Sequence, residues 1–383
     1  MNWLNFFKHK TELYHHFGKA INADISPDEE ELFNSSYEAF EKKKTLDAYQ
    51  FFLESLQNFR ADLQNNNLVI DRDEKTIKFE LYQGTAKIVG TITKENFYAE
   101  VILVKAKDAN VALKRYILER NYQLTYGRYF SDNNYIKLKI FHDNITMSPH
   151  KIFFPIRELA LNADFDKEHI KSEFQDIELE DIEHIQKIDD SELKIKFNYM
   201  KLWIEDADAK VLTLPSNDNS NMQAFIYLNL LFKIDYLLVP RFNIYQKMNK
   251  KILAYFSEES GTLEFKNEEL KRYVNQLKEM EYEEYSQNFY NAKYTFNPIE
   301  KTSHDDIVNF ISESLLKIRW YKNNRYNQII PTIYNYIAFY SLYNYGLNQP
   351  TRDLFHLLIE VQNPHFFEEL GYSSYYDSEK ESF

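Results

Sequence analysis

The stretch Ile77-Lys78-Phe79-Glu80-Leu81-Tyr82-Gln83-Gly84 decides the reading of the fold, because it has the period of a half-buried strand. The alternate side chains within 77–81 are apolar, which predicts a sheet with one buried and one wetter face. Gly84 tolerates the positive φ that hairpin loops require, so it predicts a turn. Residues 86–93 continue as a second strand, which Gly90 weakens. Residues 97–104 are rich in β-branched and aromatic side chains and make a third strand. The short loops between these strands predict an antiparallel meander.

The period changes to helical after the meander. Over residues 109–122, Val111, Leu118 and Tyr122 are spaced so that they share one helical face. Asp108 is a plausible N-cap for this helix. We expect this apolar face to lie across the sheet.

The remaining predicted elements complete the pattern αβββαββα. They are a first helix over 46–59, a hairpin over 126–130 and 135–141, and a last helix that Ser148-Pro149 opens and that ends near 174. Ser is a good capping residue, and Pro at the first helical position has no amide hydrogen to leave unpaired. Pro155 should kink or restart that last helix.

This central region resembles the YbjN family, which is similar in fold to the type III secretion chaperones. The resemblance rests on the order αβββαββα, on Leu118-Glu119-Arg120-Asn121-Tyr122 before a strand with Gly127-Arg128, and on Leu159-Ala160-Leu161-Asn162-Ala163-Asp164. It covers roughly a third of the chain. The resemblance implies an α+β domain that holds a partner protein or peptide with its sheet or helices, often as a homodimer. It supplies no catalytic residue to transfer.

The whole chain is predicted to be α+β, with a central αβββαββα domain that has an antiparallel sheet, followed by a mainly α-helical C-terminal domain. The predicted organisation is a helical N-terminal extension over 1–45, a YbjN-like domain over 46–174, an acidic connector over 175–190 and a helical domain over 191–383. Within the extension, Ser26-Pro27-Asp28-Glu29 has the pattern of a capped helix start. Helical patterns in the C-terminal half cover 192–208, 221–238, 242–256, 267–287, 307–321, 330–345 and 352–361.

Composition excludes several function classes. The chain has 383 residues, no Cys and a formal net charge of −13. Without Cys there are no disulfides and no thiol chemistry. The apolar run over 1–7 has no basic residue before it and no cleavage site after it, so it is not expected to be a signal peptide. The most apolar window, 224–240, contains Lys233 and Asp235 and is too short to span a bilayer, so we expect a soluble, cytoplasmic protein that does not bind membranes.

The net negative charge argues against a nucleic-acid partner. One segment, Arg319-Trp320-Tyr321-Lys322-Asn323-Asn324-Arg325-Tyr326, interleaves basic and aromatic residues as single-strand binders do. The simpler interpretation is a helix end whose cations suit the negative end of the helix dipole. We expect the simpler interpretation to hold.

No residue is assigned a catalytic, cofactor-binding or metal-binding role. His304-Asp305 is similar to the paired ligands of helical metal-dependent phosphohydrolases, but such a site needs further His and Asp ligands. The same dipeptide lies in a predicted first helical turn, where acids are favoured for capping. His15-His16 would point about 100° apart on a helix and are interpreted as surface residues.

Aromatic residues are abundant, and five tyrosines lie in the predicted helix over 330–345. The simpler interpretation is a buried helix whose tyrosines span core and surface. The functional alternative is a groove for a peptide, since aromatic anchors concentrate binding energy. We therefore predict a non-enzymatic, protein-binding or chaperone-like protein. The alternative is a metal-dependent hydrolase housed in the helical C-terminal half.

Overall fold

The computed structural model describes residues 17–21, 23–57, 66–132, 134–174, 176–214 and 220–372. These residues form two compact units. One unit, the α+β unit, comprises Ile25–Lys187 and Tyr290–Pro298. The other, the helical unit, comprises Ile188–Phe289 together with the described residues up to Asp24 and from Ile299 onward. The predicted α+β class with a helical C-terminal half is confirmed, and the division after Lys187 falls inside the predicted connector.

The α+β unit contains one six-stranded antiparallel sheet in the order β1-β2-β3-β4-β6-β5. Its elements are α1 (Pro27–Glu41), α2 (Thr45–Ser55), β1 (Leu68–Arg72), β2 (Thr76–Gln83), β3 (Ala86–Thr93), β4 (Asn96–Lys105), α3 (Val111–Gln123), β5 (Arg128–Ser131), β6 (Tyr135–Asp143) and α4 (Pro149–Glu173). The predicted strands and helices are present, and the capping box at Ser26 forms with Glu29. Ser148 caps α4, which continues through Pro155 without interruption.

Strand β1 was missing from the predicted pattern. It lies at the edge of the sheet and pairs with β2 from Leu68↔Leu81 to Arg72↔Ile77. Only Leu68 in this strand is buried, so the sequence lacks the regular alternation by which the other strands were recognised.

The predicted face of α3 is wrong. Leu113 and Ile117 are the buried residues of this helix, whereas Val111, Leu118 and Tyr122 are 68%, 62% and 93% exposed. The helix begins after Asn110, whose side chain accepts the Leu113 N–H, and not after Asp108. Because α3 contacts the short edge strand β5, only a narrow face of the helix is buried.

The turn between β2 and β3 is buried and tightly held. Asp164 on α4 accepts hydrogen bonds from the backbone N–H of Thr85 at 2.7 Å and from its hydroxyl at 2.9 Å. Lys167 Nζ donates to the Thr85 carbonyl at 3.0 Å, and burial lowers the pKa of this lysine to about 8. Gly84 has a φ of +54°, and a Cβ there would collide with the Asp164 carboxylate. This turn therefore requires glycine.

The segment over 290–298 belongs to the α+β unit. In sequence it lies between two parts of the helical unit, Ile188–Phe289 and the part that begins at Ile299. Gln83 Oε1 accepts the backbone N–H groups of Thr295 and Phe296 at 3.0 and 2.8 Å. The Lys293 carbonyl accepts the Gly84 N–H at 2.9 Å. These bonds satisfy backbone groups of an irregular segment that would otherwise be buried without partners.

The helical unit contains α5 (Asp190–Leu212), α6 (Ser220–Lys233), α7 (Phe242–Phe256), α8 (Leu263–Glu279), α9 (Tyr282–Ser286), α10 (His304–Asn323), α11 (Ile330–Asn344), α12 (Gln349–Gln362) and α13 (Pro364–Glu369). A π-helical turn, Ile234–Leu238, continues α6 and ends at Val239, which has a φ of 55°. The unit has one apolar core, in which Trp203, Leu231 and Phe339 are buried. The predicted helices are present, although the pattern over 267–287 is divided between α8 and α9.

Candidate partner-binding groove

The sheet of the α+β unit has one covered and one more open face. Helices α2 and α4 pack on the face that carries Ile77, Phe79 and Leu81, which are buried as the alternation predicted. On the other face, Val89 and Phe141 are exposed. The open face therefore keeps large apolar side chains in contact with solvent.

A groove of about 550 Å³ lies beside the end of β6, where this strand leads into α4. Its lining comes from the segment before β5, the end of β6, the following loop and the first turns of α4: Tyr126, Phe141, His142, Asp143, Thr146, Met147, His150, Lys151 and Phe154. We call this feature the β6–α4 groove. All of its lining residues belong to the α+β unit.

The groove lies beside a length of β6 that has a strand partner on one side only. Strand β4 pairs with β6 as far as Asn96↔Asp143, but β5 reaches only Arg128↔Lys139. From Ile140 to Asp143, no described strand lies on the β5 side of β6. Such an edge can accept an added strand.

Glu158 on α4 explains why β5 begins only at Arg128 and does not pair with the last residues of β6. Its carboxylate accepts hydrogen bonds from the backbone N–H groups of Thr125, Tyr126 and Gly127, each at 2.8 Å. These amides are therefore occupied by a side chain. The chain is held in a turn and cannot continue β5 along the end of β6.

The start of α4 presents the opposite wall of the groove. Ser148 Oγ accepts the Lys151 N–H at 3.4 Å, and Pro149 occupies the first helical position. Phe154 lies one turn after His150, so both side chains project from the same helical face. The His150 ring meets the edge of the Phe33 ring on α1, with centroids 4.9 Å apart.

Large apolar side chains form the rim of the groove. Phe141 is 58% exposed, Phe154 is 53% exposed and Tyr126 is 43% exposed. Ile145, in the loop between β6 and α4, is 87% exposed. Clustered exposed aromatic residues of this kind mark interaction sites more often than scattered ones do.

The polar groups of the groove include more potential cations than anions. His142, His150 and Lys151 line it together with a single carboxylate, Asp143. Desolvation lowers the pKa of His142, opposed by the nearby Asp143 charge. The His142 Nε2 atom is buried without a hydrogen-bond partner.

The residues considered for metal chemistry are not brought together. His304 and Asp305 are exposed in the first turn of α10, where Ser303 caps the helix by accepting the Asp306 N–H at 3.1 Å. Among the described residues, no group of three or more His, Asp or Glu side chains is placed to hold a metal ion. The hydrolase hypothesis stays a prediction without a described ligand set. His15-His16 and the run over 1–7 lie outside the described residues.

The tyrosine-rich helix α11 agrees with the simpler interpretation. Tyr336 is buried and its ring meets Phe225 edge-on, with centroids 5.2 Å apart. The Tyr343 hydroxyl donates to Asn249 Oδ1 at 2.6 Å. Tyr334 is exposed. The tyrosines thus span core and surface.

Sequence reasoning missed the β6–α4 groove. One signal was present: Phe141 follows Tyr135, Lys137 and Lys139 on the alternating polar side of its strand. A single exposed aromatic residue is common on protein surfaces, so this signal alone could not have located the groove.

The part of the chain that the structure describes contains no helix with the length and apolar character needed to cross a membrane. The sequence was also compared with models of known protein families and with curated proteins. It matches no family model and no curated protein.

Proposed function

We propose that this chain is a non-enzymatic, chaperone-like protein that holds a segment of a partner polypeptide in the β6–α4 groove. The observation that carries the proposal is the exposed aromatic rim beside the unpaired end of β6. The resemblance of the central region to the YbjN family supports the same kind of activity. A cytoplasmic location is part of the proposal and is consistent with a sequence without Cys.

The partner segment would bind in an extended conformation. Its backbone would pair with Ile140–Asp143 on the side that β5 leaves open. Alternate side chains of an added strand point to opposite faces, so one set would contact Phe141 on the open face. The neighbouring aromatic residue Phe154 would supply a second anchor.

Self-association would use the exposed stripe of α3, which consists of Val111, Leu118 and Tyr122. In a two-fold antiparallel pair of these helices, Val111 would face Tyr122 of the other copy. The same pairing sets Lys114 opposite Glu119. Leu118 would face Arg115 of the other copy, so the pairing joins apolar residues at the two ends of the stripe and opposite charges beside it. A two-fold interface requires a surface that pairs with itself, and a homodimer is the occupant that we propose for the stripe.

Peptide selection followed by measured affinities tests the groove. A short-peptide library displayed on phage is selected against the full chain, and the affinity of an enriched peptide is measured by fluorescence polarisation. We expect Phe141→Ala and Phe154→Ala each to weaken binding about tenfold or more, because truncated aromatic anchors typically cost more than 1.4 kcal/mol. Phe265→Ala, which removes a similarly exposed ring from the helical unit, is the matched control.

Hydrogen exchange of the same complex tests the binding mode. Added strands protect the amides of the edge that they join, so protection should rise within Ile140–Asp143. Equal affinity for the wild type and both groove variants would remove the basis of the proposal.

A further inference from the structure

A second surface, in the helical unit, is not explained by the groove. Trp320 lies in the last turn of α10 and is 55% exposed. Its ring is stacked with that of Tyr326, with centroids 6.2 Å apart and 23° between the planes. Leu316, one turn earlier, is 60% exposed. These side chains form an apolar ledge on the outer side of the helix.

The last two turns of α10 and the residue after its C-cap carry exposed cations without acidic partners. Lys317, Arg319, Lys322 and Arg325 are all exposed, and no described carboxylate lies within ion-pair distance of any of them. The helix dipole accounts for Lys322 in the last turn. It does not account for an exposed indole beside the cations. The pattern is unusual in a chain with a formal net charge of −13.

Folding alone explains the end of α10 but not this combination. Asn324 ends the helix, and Arg325 follows in the left-handed region with a φ of 65°. The buried residues of α10 are Ser314, Ile318 and Tyr321, which face the other side of the helix. Trp, Tyr and Arg are the residue types that dominate the binding energy of protein interfaces.

We propose that this surface, which consists of Leu316, Arg319, Trp320, Arg325 and Tyr326, binds an acidic segment of a partner polypeptide. Arginine pairs with carboxylates through two parallel hydrogen bonds. The apolar side chains of the bound segment would pack on Leu316 and on the stacked rings of Trp320 and Tyr326. The proposal does not depend on the β6–α4 groove.

An acidic polypeptide fits better than a nucleic acid. Single-strand binders stack successive bases on several aromatic rings along a basic track. This surface has only one such ring pair. Its exposed Leu316 can pack against the apolar side chains of a polypeptide but gains little from contact with phosphates. Binding of a nucleic acid is therefore the competing result that the test must be able to detect.

The test uses the full chain and three probes. The first is a fluorescein-labelled peptide that alternates Glu with Leu, the second replaces each Glu with Lys, and the third is a labelled oligothymidylate. We expect the Glu peptide to bind most tightly, to quench tryptophan fluorescence and to weaken as salt is raised. Trp320→Ala and the charge reversal Arg319→Glu should each weaken it about tenfold, whereas Trp320→Phe should largely preserve binding.

Two control variants separate this surface from the groove and from net charge. Lys250→Glu, an exposed position on α7, should leave the affinity unchanged. Phe141→Ala should also leave it unchanged, because that residue belongs to the β6–α4 groove. If Phe141→Ala abolished binding while Trp320→Ala did not, the peptide would be in the groove and this inference would be wrong. Equal binding of both peptides, tighter binding of oligothymidylate, or no binding of the Glu peptide would overturn it as well.

Discussion

The Asp166 carboxylate binds three side chains of the α+β unit. It is fully buried on α4 and accepts hydrogen bonds from the Tyr116 and Tyr129 hydroxyls and from Arg120 Nε, the last at 2.8 Å. Removing it would leave a mostly buried guanidinium without its carboxylate. We expect Asp166→Ala to lower the free energy of unfolding by about 3–5 kcal/mol, the usual cost of breaking a buried ion pair.

Denaturant titration of the α+β unit's unfolding measures this loss. Asp176→Ala changes an exposed aspartate and serves as control, with an expected effect within about 0.5 kcal/mol. A loss below about 1 kcal/mol for Asp166→Ala would show that the tyrosines and Arg120 find other partners.

Glu360 on α12 makes the stability of the helical unit depend on pH. It is 7% exposed, and desolvation raises its pKa from 4.5 to about 7. A carboxyl group whose folded pKa is raised stabilises the fold below its unfolded pKa and loses that contribution as pH rises through the folded value. Each unit of pKa is worth about 1.4 kcal/mol, so up to about 3 kcal/mol is lost between pH 4.5 and 7.

The variant Glu360→Gln should remove this loss. We expect it to resemble the wild type at pH 4.5 and to be more stable at pH 8, as measured by denaturant unfolding at each pH. His356 acts in the opposite direction, because burial lowers its pKa to about 4 and its contribution grows as pH rises to 6.5. Glu279→Gln, at an exposed position, is the control. Identical pH profiles for Glu360→Gln and the wild type would contradict the assignment.

At the scale of the element, one face of α3 is buried in the fold and another face is available for the proposed self-association. Its buried face is narrow, so Leu113→Ala should cost about 2–5 kcal/mol of unfolding free energy. Replacing Leu118 and Tyr122 with Ser should each cost no more than about 0.5 kcal/mol at low protein concentration. Sedimentation velocity should show that the Ser variants lose the proposed homodimer. A Leu118→Ser variant that unfolds as readily as Leu113→Ala would mean that the stripe is buried in the monomer.

Strands in which apolar and polar residues alternate regularly could be predicted from the sequence. Features that depend on contacts with neighbouring elements could not. The pattern of Ile77, Phe79 and Leu81 is a local property, and these residues are buried as expected. Which face of α3 is buried depends on the contact of this helix with β5, which is a tertiary contact that the local sequence does not specify. Three apolar residues at helical spacing therefore indicated a helix correctly but not the side that packs.

At the scale of the whole molecule, the α+β unit depends on residues distant in sequence. Gln83 accepts the N–H groups of Thr295 and Phe296 and donates to the Phe296 carbonyl at 3.2 Å. In the full chain, Gln83→Ala should cost about 2–4 kcal/mol, because two amides lose a buried partner. Hydrogen exchange should increase at Thr295 and Phe296. Gln328→Ala, at an exposed site, should change neither quantity; unchanged exchange in Gln83→Ala would contradict this role.

The β6–α4 groove likewise arises from long-range features that no local pattern encodes. It requires β6 to extend beyond β5 and Glu158 to occupy the amides before Gly127. The existence of β5 and β6 was predictable, but the difference in pairing length between the two sides of β6 was not. The class of the fold could therefore be predicted, while the candidate site needed the register of the sheet.

Site-specific photocrosslinking tests the central claim most directly. A photoreactive phenylalanine analogue is placed at position 141 of the full chain, and at 265 as an equally exposed control, in the cells that make the protein. Partner binding in the groove predicts a covalent adduct with a specific polypeptide from 141 that is absent from 265 and is lost when Phe154 is replaced by Ala. No adduct from 141, or the same adducts from both positions, would contradict the account.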